Sequence, residues 1–321
     1  FTRSETMETM KRCLVTGATG FIGRALCKAL HERGDEVIAT SLHGGTLASG
    51  EPVQALDLGS EVLLSGSLLR GVDCVYHLAG VAHQFASPET YQAVNVAGTL
   101  ALAGAASRAG VEKFVYLSSV KAMSSGETAE SYEEADVTDM PSVPDPYGRS
   151  KQLAEQGLQA NHADDAMQVH IVRPALVYGS QAKGNLAVLI SASRFSLGRP
   201  PQGGARSMIA LPDLVALLLL LGLDARPGFH IWIATDGEQY SSQRLYDALR
   251  SARALKPATL TLPAALWSLL CFVFDLRSGL ALGSTWQKLA GSELYSNQRI
   301  LQELNFKPRW RFEDLAASMV A

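Results

Sequence analysis

Residues 11–33 constrain the fold more than any other stretch of the chain. Arg12-Cys13-Leu14-Val15-Thr16 has the apolar, β-branched character of a short buried strand. It runs directly into Gly17-Ala18-Thr19-Gly20-Phe21-Ile22-Gly23, and a helical pattern continues to about Arg33. Strand, glycine turn and helix in that order suit the pyrophosphate of a dinucleotide. Gly17 allows the tight turn, Gly20 lets phosphate approach the backbone, and Gly23 permits close helix–strand packing. The N-terminus of the helix then faces the anion, so Thr19, Phe21 and Ile22 join the glycines as candidate cofactor-binding residues. The fold expected from this start is α/β, a Rossmann-like doubly wound parallel sheet.

Further strands follow at regular intervals. Glu36 to Thr40 leads to Ser41, where an acidic residue would accept from the adenosine ribose 2′-hydroxyl and favour NAD. Ser41 removes a repulsion against a 2′-phosphate, although no arginine follows directly, so NADP is slightly favoured over NAD. Asp57, with Leu58 at the end of a third strand, has two readings: a partner for the adenine amino group, or a cap ahead of Gly59-Ser60. Val72 to Leu78 reads as a strand ending in Leu78-Ala79-Gly80, small enough to pass close to a cofactor; His77 within it reads as a packed core histidine. Pro88 to Arg108 reads as one alanine-rich helix containing Asn95, for which a buried structural role and a place in the catalytic site, at the cofactor, stand side by side.

Lys113 to Leu117 is the next strand, and Ser118-Ser119 fall at its C-terminal end, the edge where doubly wound sheets bind ligands. A polar loop, Met123 to Pro144, is expected to form a mobile substrate cover. It leads to Asp145-Pro146-Tyr147-Gly148-Arg149-Ser150-Lys151. With a helix starting near Pro146, Tyr147 and Lys151 share a face one turn apart. A free tyrosine has a pKa near ~10, and a neighbouring ammonium would lower it, so the pair suits proton transfer at a carbinol oxygen.

Beyond the strand Gln168 to Val172 and Arg173-Pro174 the alternation gives way to Pro/Gly-rich turns (Gly198 to Gly204), an apolar helix (Leu214 to Leu223), a strand (Phe229 to Ala234) and C-terminal helices. Residues 11–172 are expected to form the dinucleotide-binding domain, and 173–321 mainly a substrate-binding lobe with some segments returning to the first domain. The formal charge of −3, without a basic run, argues against nucleic acid. The apolar runs Leu214–Leu223 and Pro263–Phe274 are too short to span a bilayer; the second leaves interfacial contact open beside buried helix. The scattered Cys13, Cys27, Cys74 and Cys271 lack metal-ligand spacing and read as free thiols. No apolar run of secretory-signal type precedes Met10; a native start at Met7 or Met10 and a cytoplasmic location are expected.

The motifs Gly17-x-x-Gly20-x-x-Gly23, His77-Leu78-Ala79-Gly80, Asn95-Val96-x-Gly98-Thr99, Leu117-Ser118-Ser119, Tyr147-x-x-x-Lys151 and Arg173-Pro174 stand in the order of the extended short-chain dehydrogenase/reductases, which the chain resembles from Arg12 to about Leu315. Within them it is similar to the nucleotide-sugar epimerase/dehydratase/reductase branch, and most of all to bacterial enzymes that reduce the C4 keto group of UDP-linked 4-keto-6-deoxy-N-acetylhexosamines for surface polysaccharide synthesis. Lys183-Gly184-Asn185-Leu186, 205–211 and 303–308 add to the likeness. The resemblance implies Ser119 as catalytic serine, Tyr147 as acid/base and Lys151 as ribose-binding residue. It also implies Pro174 at the cofactor, Lys121 beside the substrate, and Asn185 and Arg206 on the UDP moiety, with a surface salt bridge as the other reading of Arg206. A homodimer through 88–108 and 147–160 is likewise implied.

Departures narrow the reaction. Val120-Lys121 stands where dehydratases of the branch carry an Asp-Glu pair, which argues against 4,6-dehydration. Leu176 and Ala82 replace an asparagine and a lysine common in UDP-galactose 4-epimerases, which weakens 4-epimerisation with retained NAD. Reduction of a lipophilic ketone or steroid fits the apolar C-terminal segment but not Asn185 and Arg206. An NAD(P)-sensing regulatory protein on the same fold is disfavoured by the complete Ser-Tyr-Lys set.

Overall fold

The structure, a computed structural model, describes residues 10–60, 67–82, 86–123, 142–180, 185–194, 199–258, 260–278 and 282–320. The expected start at Met7 and most of the loop expected to cover the substrate lie outside them.

Alternating strands and helices build an eight-stranded sheet from β1 (Arg12–Thr16), β2 (Glu36–Ser41), β3 (Gly45–Thr46), β4 (Pro52–Ala55), β5 (Cys74–His77), β6 (Lys113–Leu117), β7 (Gln168–Pro174) and, later in the chain, β10 (Phe229–Ala234). Their order is β10-β7-β6-β5-β1-β2-β4-β3. The pairs β1–β2, β1–β5, β2–β4, β5–β6 and β6–β7 are parallel, whereas β3 lies antiparallel on β4. From β1 the chain winds outward to β2 and β4, then returns to β5 on the other side. The switch point therefore lies between β1 and β5, where a doubly wound sheet opens a ligand crevice.

The helices start and stop for local reasons. α1 (Phe21–Arg33) ends at Gly34, whose φ of 91° is the left-handed conformation that a helix C-terminus favours. Segment 88–108 is helical but not uniform. A short α2 (Pro88–Thr90) passes into a π-helical stretch, Tyr91–Gly98, before α3 (Thr99–Arg108). Asn95 lies in that wider turn, a feature the alanine-rich pattern does not reveal. Gly98 is needed there because a Cβ would sit 2.5 Å from the Leu58 carbonyl oxygen. α4 (Pro146–His162) has Asp145 as N-cap, accepting the Gly148 N–H at 2.7 Å, and Pro146 in its first turn.

Two compact units result. Of the described residues, the first contains those up to 123, 142–172 and 215–231, and the second those from 173 to 214 and from 232 to 320. In the first, Leu14, Val75, Phe114, Tyr116, Val169 and Ile171 from the sheet pack with Leu102, Ala106, Ala154 and Leu158 from α3 and α4. The second contains β8 (Leu176–Tyr178) parallel to β9 (Met208–Ala210), with α5 (Asn185–Ala192) between them. It also holds α7 (Ser242–Ala252), α8 (Ala264–Ser278), α9 (Ser284–Ala290), α10 (Gln298–Gln302) and α11 (Phe312–Val320). Its core joins Tyr178, Met208, Tyr240, Tyr246, Leu249 and Phe312. The preceding apolar helix, α6 (Leu211–Leu223), crosses from the second unit into the first at Val215.

Candidate active site

The glycine turn lies at the switch point. Gly17 has φ 70°, and a Cβ there would stand 2.9 Å from the Ala79 nitrogen at the exit of β5. A Cβ on Gly23 would collide with the Gly17 carbonyl oxygen, so helix, turn and strand close up only with these glycines. Gly20 precedes α1 without a side-chain cap, which leaves first-turn N–H groups at Phe21 and Ile22 for an anion. Thr19 is half-buried beside them. This cradle fits a dinucleotide pyrophosphate. Ser41 ends β2, and its hydroxyl donates to the Gly44 carbonyl at 3.0 Å. Asp57 accepts the Gly59 N–H at 2.9 Å, the local capping geometry of the second reading made from sequence.

On the other side of the switch point, β6 delivers Ser118 and Ser119. The Ser119 hydroxyl accepts the Lys121 N–H at 3.1 Å, which fixes the turn Val120–Ala122. Ser119 also pulls the Tyr147 phenol pKa down. Burial outweighs it, with Asp145 and Tyr91 adding to the rise, and the phenol is pushed up to about 12.

Lys151 is 4% exposed, and burial brings its ammonium down to about 8 against the opposing pull of Glu155. Its Nζ donates to the Leu117 carbonyl at 2.9 Å and lies 4.5 Å from the centre of the Tyr116 ring. It also borders Gly80, where a Cβ would stand 3.5 Å from Nζ. The sequence reading sets Lys151 beside Tyr147; the hydrogen bond that the structure gives its Nζ is to the Leu117 carbonyl. The i, i+4 spacing puts both on one helix face, but the ammonium is drawn to the carbonyl at the end of β6.

Asn95 is clasped on every side. Its Oδ1 accepts the Val81 N–H at 2.8 Å; its Nδ2 donates to the Val81 carbonyl at 3.0 Å and the Ser150 hydroxyl at 2.9 Å. This is the buried structural role, and it fixes the Gly80–Val81 backbone that borders Lys151. His77 is wholly buried, and burial takes its pKa down to about 3, so the ring is neutral. Thr99 Oγ1 donates to the Asn95 carbonyl, so it accepts from His77 Nε2–H, and Nδ1 then accepts from Thr16 Oγ1. His77 is the core histidine the apolar run implies.

Several supporting residues escaped the sequence reading. The Ser118 hydroxyl donates to Glu155, a carboxylate with no exposed surface. Glu155 follows Lys151 by four residues between Ala154 and Leu158, and that spacing on a buried face was the available signal. Gly148 is required because a Cβ would collide with the Lys121 carbonyl oxygen.

The remaining candidates belong to the second unit. Pro174 closes β7 and is buried. Asn185 is the first residue of α5. Arg206 is half-buried, and its backbone exchanges two 3.1 Å hydrogen bonds with Tyr240. Lys183 and Gly184 lie outside the described residues. All four cysteines are free and buried. Among the described residues no helix is long and apolar enough to cross a membrane, and no His/Cys/Asp/Glu cluster could hold a metal ion.

A doubly wound sheet with a glycine turn at its switch point, and a serine, tyrosine and lysine on the adjoining strand and helix, defines a dinucleotide-dependent oxidoreductase class. The chain belongs to the NAD dependent epimerase/dehydratase family, whose pattern matches residues 13–199, and it is thus an extended short-chain dehydrogenase/reductase. It is 31% identical over 268 residues to a UDP-glucose 4-epimerase of Vibrio cholerae, covering 80% of each chain. It is 32% identical over 175 residues to a UDP-2-acetamido-2,6-beta-L-arabino-hexul-4-ose reductase of Pseudomonas aeruginosa, covering 54% of this chain and 38% of that one. Among solved structures, MoeE5 in complex with UDP-glucose and NAD shares the fold with a TM-score of 0.72, covering 96% of this chain and 97% of that one at 24% identity.

Proposed function

We propose that the protein is a nucleotide-sugar 4-ketoreductase acting on a UDP-linked 4-keto-6-deoxy-N-acetylhexosamine during the synthesis of surface polysaccharide precursors. The observation that carries this reading is a Tyr147 phenol whose pKa burial holds up to about 12 against the pull of Ser119. Such a phenol stays protonated across the neutral range. It suits donation of a proton to a ketone oxygen better than abstraction of one from an alcohol. The Pseudomonas aeruginosa reductase, a relative by sequence, points to the same direction of reaction.

In this reading, a nicotinamide dinucleotide held by Gly17 to Gly23 would supply the hydride chemistry. Tyr147 gives its hydroxyl proton to the C4 oxygen. Ser119 holds that oxygen in line, and Lys151 bonds the ribose. Gly17 to Gly23 hold the pyrophosphate, Ser41 admits a 2′-phosphate, and Leu58, Leu78, Ala79 and Gly80 line the path of the cofactor, with NADPH slightly preferred to NADH. Residues 173–321 mainly supply the substrate lobe, in which Asn185 and Arg206 bind the UDP moiety, the arginine fork matching two phosphate oxygens. Lys121 borders the sugar. The enzyme works as a homodimer through 88–108 and 147–160, which light scattering tests.

A second reading, 4-epimerisation, rests on the Vibrio cholerae relative. One experiment separates the two. Purified protein is mixed with UDP-N-acetylhexosamines or their 4-keto-6-deoxy derivatives, with and without NADH or NADPH, and absorbance and products are followed. Consumption of reduced cofactor with the keto sugar supports the ketoreductase and ranks the cofactors. Interconversion of hydroxyl sugars without net consumption overturns it in favour of the epimerase, and Leu176 and Ala82 are then tolerated substitutions.

A further inference from the structure

The catalytic reading leaves the apolar stretch of the second unit without a task. α8 is mostly apolar. Trp267 and Cys271 are buried on its inner side, and Asp275 there receives the Thr285 hydroxyl and N–H. The opposite side carries Leu266, Leu269, Leu270, Phe272, Val273 and Leu276, all exposed, with Leu269 at 56% and Leu276 at 66%. At 3.6 residues per turn these six fall on one stripe, and exposed Arg277 extends the same stripe at its C-terminal end. A contiguous apolar face of this kind marks a surface that something covers.

Charge selects the occupant. From residue 250 to 290, Lys256 and Arg277 are the exposed charges among the described residues; Arg250 and Arg253 bond carbonyl oxygens, and the single acid, Asp275, is buried. This segment is basic in a chain whose total charge is −3. A second copy docked by two-fold symmetry would bring cations to cations with no carboxylate on the stripe to answer them. The stripe also offers no side-chain hydrogen-bonding groups apart from Arg277, whereas protein interfaces carry about one hydrogen bond per 100–200 Å². Leucine and phenylalanine with cations at the margin match the boundary between headgroups and acyl chains of an anionic bilayer.

We infer that the outer face of α8 docks the protein, without spanning, on an anionic lipid surface, Leu269 and Leu276 entering the acyl boundary and Arg277 and Lys256 meeting headgroup phosphates. The test is co-sedimentation of the full chain with sucrose-loaded vesicles of phosphatidylcholine alone and of phosphatidylcholine with about one third phosphatidylglycerol. The protein is expected to pellet with the anionic vesicles and to be released by high salt. The double variant Leu269→Glu/Leu276→Glu should remain in the supernatant, and Arg277→Ala and Lys256→Ala should each weaken partition about five-fold. Circular dichroism melts and NADPH titration show that each variant is folded; no readout requires turnover, so the inference stands or falls apart from the catalytic reading. Failure to pellet with either vesicle, equal pelleting by the double variant, or equal affinity for both compositions overturns it. So does self-association in light scattering that the double variant abolishes, which would assign the face to a second copy.

Discussion

Asn95 donates to the Ser150 hydroxyl at 2.9 Å, a bond across 55 residues that joins the π-helical turn to the helix bearing Tyr147 and Lys151. The same amide grips both polar groups of the Val81 backbone. Replacing it with alanine leaves the half-buried Val81 groups without their Asn95 partner and frees Gly80 beside Lys151. Asn95→Ala is expected to cost about 1–3 kcal/mol in urea unfolding. Its kcat should fall more than its KM rises, because the loss is one of positioning.

Tyr147 is the only group in the first unit given the task of proton donor. Tyr147→Phe removes the hydroxyl and keeps the ring that lies 6.4 Å from Tyr91. Turnover is expected to drop about 10²–10⁴-fold, with NADPH affinity, read by fluorescence titration, within a factor of about two. Full residual activity would remove Tyr147 from the reaction.

Lys151 gives the pH dependence a sign. Its ammonium loses a proton near pH 8, about two and a half units below the usual lysine value. The charge is present below that pH and lost above it. Ketone reduction at saturating substrate should therefore hold steady from neutral pH to about 8 and decline beyond, while Tyr147, pushed up to about 12, stays protonated throughout. A rate that keeps rising to pH 10 would contradict the assignment of Lys151.

His77 has the opposite consequence, at low pH. Its folded pKa of about 3 lies below the ordinary 6.5, so the unfolded chain binds a proton first as pH falls. The stability it contributes is present above pH 6.5 and is lost progressively towards pH 3, on the order of 5 kcal/mol in total. His77→Gln should unfold less steeply between pH 6 and pH 4 than the parent, despite a lower stability at pH 7.

Gly98→Ala places a Cβ 2.5 Å from the Leu58 carbonyl oxygen and 2.8 Å from its Cβ. Alanine gains about 1 kcal/mol in helix propensity. The strain of displacing a backbone carbonyl is about 1–3 kcal/mol, so a net lowering of Tm is expected by calorimetry.

The sequence by itself determined what is local. The turn from Gly17 to Gly23 follows from three glycines within one backbone reversal, and the shared face of Tyr147 and Lys151 follows from helical period and the Asp145-Pro146 start. Family membership also followed from motif order, because each motif is contiguous. Tertiary structure alone decided where those side chains point and what surrounds them. It turned Lys151 to the Leu117 carbonyl across 34 residues, set Glu155 on Ser118 across 37, and wired His77 between Thr16 and Thr99. It also put the phenol in surroundings where burial outweighs the pull of Ser119. A pKa is set by the solvent a group loses and the charges brought beside it, and both come from segments far apart in the chain. Helical period gave the spacing of proton donor and cation; only packing decided which carries its charge at neutral pH and what holds it there.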